Sequence, residues 1–162
     1  MPDDVAVDLL TANDPVILAQ IATVSILAWQ RDPTGLEIQA RVERLRKDLI
    51  AMDPTEGAMF IARKDGGVLG FGRIMRDRDE ASQWCLFAVA VHPRHQRHGI
   101  GSAIARAAIT YARERGATQI RSQAHEDNAA SIQYHTKLGF TNEGVFVAPD
   151  GDRLVAFCLR VG

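Results

Sequence analysis

A chain of 162 residues that is 46% hydrophobic, with 19 Lys+Arg against 20 Asp+Glu, is sized for one domain with its own core. It carries no net field to draw it onto nucleic acid or an anionic bilayer. The start MPDDVAVDLL lacks the basic segment of a secretory signal, and no apolar run approaches the ~18 residues of a membrane span, so a cytoplasmic protein is expected.

No internal repeat, low-complexity tract or linker divides the sequence, so residues 1–162 are expected to form a single domain. From Asp14 to about Trp29, and from about Leu36 to Met52, apolar residues recur at helical spacing: Val16, Ile17, Ile21 and Val24, then Ile38, Val42, Leu45 and Leu49. Two amphipathic helices follow from that. In AMFIARKDGGVLGFGRIM, Asp65-Gly66-Gly67 separates two apolar runs, which predicts an antiparallel hairpin of 58–63 with 68–75. WCLFAVAV, ending at Val91 after the charged loop RDRDE, reads as a strand buried on both faces. Cys85 lies in it and Cys158 in a second apolar stretch; with no ligand spacing, both are expected to be core thiols.

Ile100, Ala103, Ile104, Ala107, Ala108 and Tyr111 predict a third helix that stops at Gly116. A short strand around QIRSQA follows. Asn128 is a suitable cap for a fourth helix ending at Leu138-Gly139, and FTNEGVFV and RLVAFCLR read as two final strands. The expected fold class is α/β (α+β), a mixed sheet with helices on its faces.

Between the buried strand and the third helix lies VHPRHQRHGIGSAI, residues 91–104. A helix start offers unpaired amides and the positive end of a dipole, the combination that phosphate oxygens require. Gly99 and Gly101 allow an anion close to the backbone, Ser102 adds a hydroxyl, and Arg94, Arg97 and His98 raise the local potential. His92, His95 and His98 recur every three residues, but Pro93 and Gly99 argue for a loop, and no cysteine or carboxylate joins them; no metal is expected. A nucleic-acid patch would need aromatic platforms that this loop lacks. A dinucleotide fingerprint fails because Ile104 stands where a third glycine or alanine belongs. What remains is a pyrophosphate cradle.

VHPRHQRHGIGSAI resembles the acetyl-CoA-binding motif of the GNAT superfamily of N-acetyltransferases, (R/Q)-x-x-G-x-(G/A) after a strand ending in V-x-P. NAASIQYHTKLGF, about thirty residues downstream, resembles the superfamily's second signature, N-x-x-(A/S)-I before a K-L-G-F-like helix end. Together they cover about residues 58–147. The resemblance implies a mixed, mostly antiparallel sheet with flanking helices whose central parallel strands splay, with acetyl-CoA as co-substrate and its pantetheine arm bonded along Val89 and Val91. Gln96, Arg97, His98, Gly99, Ile100, Gly101 and Ser102 match the pyrophosphate loop. Asn128 matches a residue contacting the pantetheine region, and Ser131 the small residue that lets the cofactor pass close to the helix. The two N-terminal helices and the RDRDE loop stand where the acceptor site is built.

The implied chemistry is direct attack of an amine on the thioester, which needs orientation, stabilisation of the carbonyl oxygen and proton transfer. Many members carry a tyrosine where this chain has His135, preceded by Tyr134, so these two are the candidate general acids. No carboxylate lies in residues 83–91; Glu80, His125, Glu126 and Asp127 flank the region and none is singled out as the base. The expected function is acetyl transfer to a primary amine of a small molecule or peptide. The alternatives are a non-catalytic acyl-CoA-binding module, or an acyltransferase using another acyl-CoA or acceptor. No nucleic-acid or membrane partner is expected, and a homodimer is compatible with the sequence.

Overall fold

The computed structural model describes residues 4–29 and 32–162. In chain order these form β1 (Ala6–Leu9), α1 (Pro15–Ala28), α2 (Gly35–Ala51), β2 (Gly57–Lys64), β3 (Gly67–Arg76) and β4 (Gln83–Val91). A 3₁₀ turn (Pro93–His95), α3 (Ile100–Glu114), β5 (Gln119–His125), α4 (Ala129–Lys137), β6 (Thr141–Val147) and β7 (Arg153–Arg160) follow. The strands make one sheet in the order β1-β2-β3-β4-β5-β7-β6. Every neighbouring pair is antiparallel except β4 with β5.

Local chemistry sets the boundaries. Asp14 accepts the amide of Val16 at 2.9 Å with Pro15 opening α1, and Thr34 accepts that of Glu37 at 3.2 Å to open α2. Asp65 (φ 51°) and Gly66 (φ 81°) both take the left-handed conformation between the paired residues Lys64 and Gly67. That pair of conformations matches the twist of the strands it joins and fixes the β2–β3 register.

The sheet separates two apolar layers. Ala58, Phe60 and Ala62 of β2 join Ile74, Trp84 and Leu86 beneath Ile100, Ile104, Ala108 and Ala112 of α3. Met59 and Ile61 point the other way, with Val68 and Phe71, against Leu18, Ile21 and Val24 of α1. The strand period of two is what sends one β-strand into both layers. Helix α3 lies very close to β3: a Cβ on Gly72 would stand 2.5 Å from Ile104 Cγ2.

Three features differ from the sequence reading. Strand β1, four residues long, shows too little alternation to register as a strand, yet it covers the edge of β2. Strand β4 is not buried on both faces: Trp84 and Leu86 are covered, but Cys85 is half-buried and Phe87 is 44% exposed. The apolar layer under α1 is drawn from β2 and β3; α1 also lies against β4, but no β4 side chain joins that layer and Phe87 stays outside it. Helix α2 buries no residue fully; Val42, Leu45 and Leu49 are partly covered by the α1 layer. Cys158 is a buried core thiol, as expected.

Candidate active site

Strands β4 and β5 pair only at Gln83↔Gln119, Trp84↔Ile120 and Cys85↔Arg121. Beyond this, β4 stays with β3 as far as Gly70↔Val91, and β5 stays with β7 as far as His125↔Leu154. The facing edges, 86–91 and 122–125, therefore open into a wedge with no strand between them. Between Phe71↔Ala90 and Arg73↔Phe87, two steps along β3 oppose three along β4. This bulge adds bend and twist to β4 along the stretch where it leaves β5. The unpaired edges present amides and carbonyls that an extended ligand can complete as an added strand. Val89 and Val91 lie on this part of β4, packed against the α3 layer.

The loop above the wedge turns sharply. The amide of His92 bonds to the Leu69 carbonyl at 2.8 Å, and Gln96 Nε2 donates to the Val91 carbonyl at 3.1 Å, tying the loop to the end of β4. Gln96 thus has a positioning role from within the chain. Arg97 (φ 66°) and Gly99 (φ 80°) are left-handed, and Gly99 caps α3 without a side-chain bond. The first helical bond is that of Ala103 to the Gly99 carbonyl at 3.0 Å. The amides of Ile100, Gly101 and Ser102 precede it, and a left-handed residue followed by helix curves such amides into an anion-binding hollow. The exposed Arg94, Arg97 and His98 surround it. His92 and His95 meet edge to face at 5.6 Å, and burial with the adjoining His95 and Arg94 pushes the His92 imidazole below the usual histidine range. Among the described residues, no group of three or more His, Cys, Asp or Glu side chains is placed to hold a metal ion.

Helix α4 closes the wedge on the α3 side. Asn128 Oδ1 caps it by accepting the Ser131 amide at 3.0 Å. Tyr134 leans over the start of α3: its hydroxyl donates to the Gly101 carbonyl at 3.1 Å, and burial keeps the phenol firmly protonated. His135 points the other way, into the core, and is 4% exposed. Its ring stacks on Phe157 at 4.3 Å and 6°, and meets Phe140 and Tyr134 edge-on. Nδ1 lies 2.7 Å from the Ser131 carbonyl and Nε2 lies 2.8 Å from Ser122 Oγ. A carbonyl can only accept, so Nδ1 carries the proton, and the Ser122 hydroxyl donates to Nε2. Burial pushes the imidazole below the ordinary histidine range, against the smaller opposing pull of the Ser131 carbonyl. Sequence reasoning did not single out Ser122. It belongs to no motif, and only the pairing of β5 shows that it is the first residue past the last β4–β5 pair.

Two of the flanking carboxylates are engaged. Glu80 accepts from the Ser82 hydroxyl at 2.8 Å, and Glu126 is paired with Arg153 at 2.7 Å. At the open end of the wedge, His125 faces Asp152 at 3.9 Å and the ring of Trp29 at 6.4 Å, which brings the end of α1 over the end of β5. The exposed Trp29 and Phe87 give this side an aromatic surface.

A wedge in the sheet beneath an amide hollow can be compared with known proteins. Curated relatives include a mycothiol acetyltransferase of Amycolatopsis mediterranei, 34% identical over 110 residues, 62% of this chain and 35% of that protein. Another, from Tsukamurella paurometabola, is 27% identical over 157 residues, 91% of this chain and 52% of that protein. The chain thus spans about a third to a half of the length of these relatives. A GNAT-family protein of Desulfovibrio desulfuricans has the same fold, with a TM-score of 0.78 at 18% identity over 98% of this chain and 99% of that one. So does yncA of Salmonella typhimurium, solved with its cofactor acetyl-CoA, with a TM-score of 0.75 at 19% identity over 99% and 95% of the two chains. The model of the Acetyltransferase (GNAT) family matches residues 23–140, from within α1 through the wedge and the hollow to the end of α4, and the chain belongs to that family.

Proposed function

We propose that the protein is an acetyl-CoA-dependent N-acetyltransferase, a single acetyltransferase domain over residues 1–162. It transfers acetyl to a primary amine of a small molecule or peptide by direct attack on the thioester. The observation that carries this is the unpaired β4–β5 wedge ending under the free amides of Ile100, Gly101 and Ser102. A linear ligand with an amide-bearing arm and a diphosphate meets both features at once: the arm completes the strand edge at Val89 and Val91, and the diphosphate sits in the hollow. Arg97, His98 and Gly99 complete the hollow, and Gln96 holds its loop on β4. Asn128 keeps its side-chain NH₂ for the arm while its oxygen caps α4, and Ser131 keeps that face of α4 narrow. The relatives named mycothiol acetyltransferase favour acetyl as the acyl group.

Of the two α4 candidates for proton transfer, Tyr134 has its hydroxyl committed to Gly101, whereas His135 presents an unprotonated nitrogen toward the wedge by way of Ser122. His135 is therefore the better placed of the two. The acceptor enters from the α1 side of the sheet, where Phe87 and Trp29 are exposed. Cytoplasmic placement goes with this function, and nucleic acid and membranes play no part in it. No helix among the described residues is long and apolar enough to cross a membrane. The test is thiol release from acetyl-CoA with a panel of primary amines, alongside calorimetry with acetyl-CoA alone. Binding with amine-dependent thiol release is expected. Binding without release under every amine would leave an acyl-CoA-binding module, and faster release from a longer acyl-CoA would change the donor.

A further inference from the structure

At the vertex of the wedge stands Ser122, the residue after the last β4–β5 pair. Its Oγ reaches across to within 3.5 Å of the Leu86 carbonyl on β4 and lies 2.8 Å from His135 Nε2. A hydroxyl has one proton, and the shorter contact takes it. The histidine behind it is fixed at both nitrogens and stacked on Phe157, so Nε2 is aimed at Ser122 with its lone pair free to accept. An extended ligand entering between β4 and β5 runs along their free edges until pairing resumes, and Ser122 Oγ lies at that point, between the two strands.

We propose that Ser122 and His135 form a proton shuttle for acetyl transfer, with Ser122 Oγ as the atom that touches the reacting groups and His135 acting through it. This rests on the N-acetyltransferase function proposed above. As the neutral amine attacks, the C–N bond forms and the nitrogen becomes acidic. Ser122 Oγ takes that proton while its own passes to His135 Nε2. The resulting imidazolium is stabilised by the Ser131 carbonyl at Nδ1. When the C–S bond breaks, the proton returns by the same path to the thiolate. The amine loses one proton, the thiol gains one, and nothing is oxidised. A histidine that gives back what it has received fits its neutral resting state, in which Nε2 holds no proton to donate at the outset. The shuttle also accounts for a site in which Glu80 and Glu126 are engaged elsewhere.

The groups packed on the imidazole are Ser122 from β5, Phe157 from β7, Ser131 and Tyr134 from α4, and Phe140 after it. Tyr134 is the one titratable group among them and is protonated. His135 therefore contributes an acid limb to the kcat profile that stays in place when the acceptor amine is exchanged for one of different basicity. It lies below about pH 6.5, because burial lowers the group from that ordinary value.

The experiment compares wild type, Ser122→Ala, His135→Gln and the double variant in the thiol-release assay with the best amine of the panel, from pH 5 to 9. Acetyl-CoA affinity and thermal unfolding are measured in parallel. Each single variant is expected to lower kcat by ~10²-fold or more, and the double by no more than the worse single, because the two residues act as one unit. The acetyl-CoA Kd should stay within about threefold, and the acid limb should vanish in Ser122→Ala. Ser122→Ala with wild-type kcat and an unchanged limb overturns the shuttle while leaving the acetyltransferase function standing. So do variants whose kcat losses follow loss of folded protein or of acetyl-CoA affinity, since those report a packing role. ¹⁵N spectra of the histidine ring give a readout free of turnover: a protonated Nδ1 and a bare Nε2 in His135 are expected, and the opposite tautomer overturns the proposal. A wild type that binds acetyl-CoA but acetylates no amine overturns the function, and the shuttle falls with it.

Discussion

Substituting Gly101 by alanine pits stability against affinity in a way that tests the hollow directly. A Cβ at this position would lie 3.5 Å from Val91 Cγ2, 3.6 Å from Tyr134 Cε2 and 3.7 Å from Val89 Cγ1, all ordinary contacts. The protein alone can therefore accept the methyl. It should also gain from it, since alanine in a helix is favoured over glycine by up to ~1 kcal/mol, less in the first turn. A rise in Tm of about 2 °C is expected for the free protein. The same methyl projects between Val89, Val91 and Tyr134, the passage from the β4 edge to the α3 amides. A ligand lying there must move away and stretch its bonds to the charged diphosphate. Loss of one such bond, at ~1.5–3 kcal/mol, lowers acetyl-CoA affinity by roughly 10- to 100-fold. Thermal unfolding without ligand and calorimetry with acetyl-CoA measure the two effects separately. Unchanged affinity in a well-folded Gly101→Ala protein would refute the placement of the ligand at this helix start. A parallel fall in stability and affinity would refute the packing argument instead.

Tyr134→Phe removes the hydroxyl that bonds to the Gly101 carbonyl but leaves the ring, so a stability loss of about 0.5–1.5 kcal/mol with kcat near wild type is expected from unfolding and turnover measurements. A collapse of turnover in that variant, with His135→Gln near wild type, would pass the proton-transfer role to the tyrosine. Protein treated with a chelator and shown by elemental analysis to be free of metal should keep full acetyl transfer, because His92, His95 and His98 lie in the loop proposed to hold the diphosphate and form no metal-holding group among the described residues; zinc lost together with activity would contradict this.

Most of the frame was legible because it is written locally. Helix periodicity, the Asp65-Gly66 turn and the cap at Asn128 each act within a few residues, and each is where the sequence places it. The amide hollow was legible for the same reason, since two glycines after a strand and before a helix describe their own geometry. What escaped depends on register and on which face is covered. Nothing in QIRSQAH marks Ser122 until β5 is paired with β4 at three positions and no more. Whether Phe87 is core or surface depends on how far α1 reaches across the sheet, and the run WCLFAVAV is apolar in either case. The orientation of His135 was the subtlest. The residues three and four before it, Ile132 and Ser131, share its side of α4, but the partner on that side, Phe157, is brought there by a strand at the other end of the chain.

The bulge in β4 links these features. Three residues of β4 opposite two of β3 tighten the twist of one strand, and its unpaired edge follows. Unpaired strand edges are a liability in a folded protein, because buried amides and carbonyls without partners cost ~1–3 kcal/mol each. Here the liability stays at one end of the sheet: the other end of β4–β5 is paired, and Trp84 and Ile120 lock it with fully buried side chains. A ligand that supplies the absent strand removes the penalty on binding, so the defect itself becomes binding energy concentrated between β4 and β5. The same divergence places Ser122 at the vertex with its hydroxyl facing inward and His135 behind it. One inserted residue in one strand thus accompanies the parting of β4 from β5, along an edge that runs from the level of Ser122 to the loop before α3.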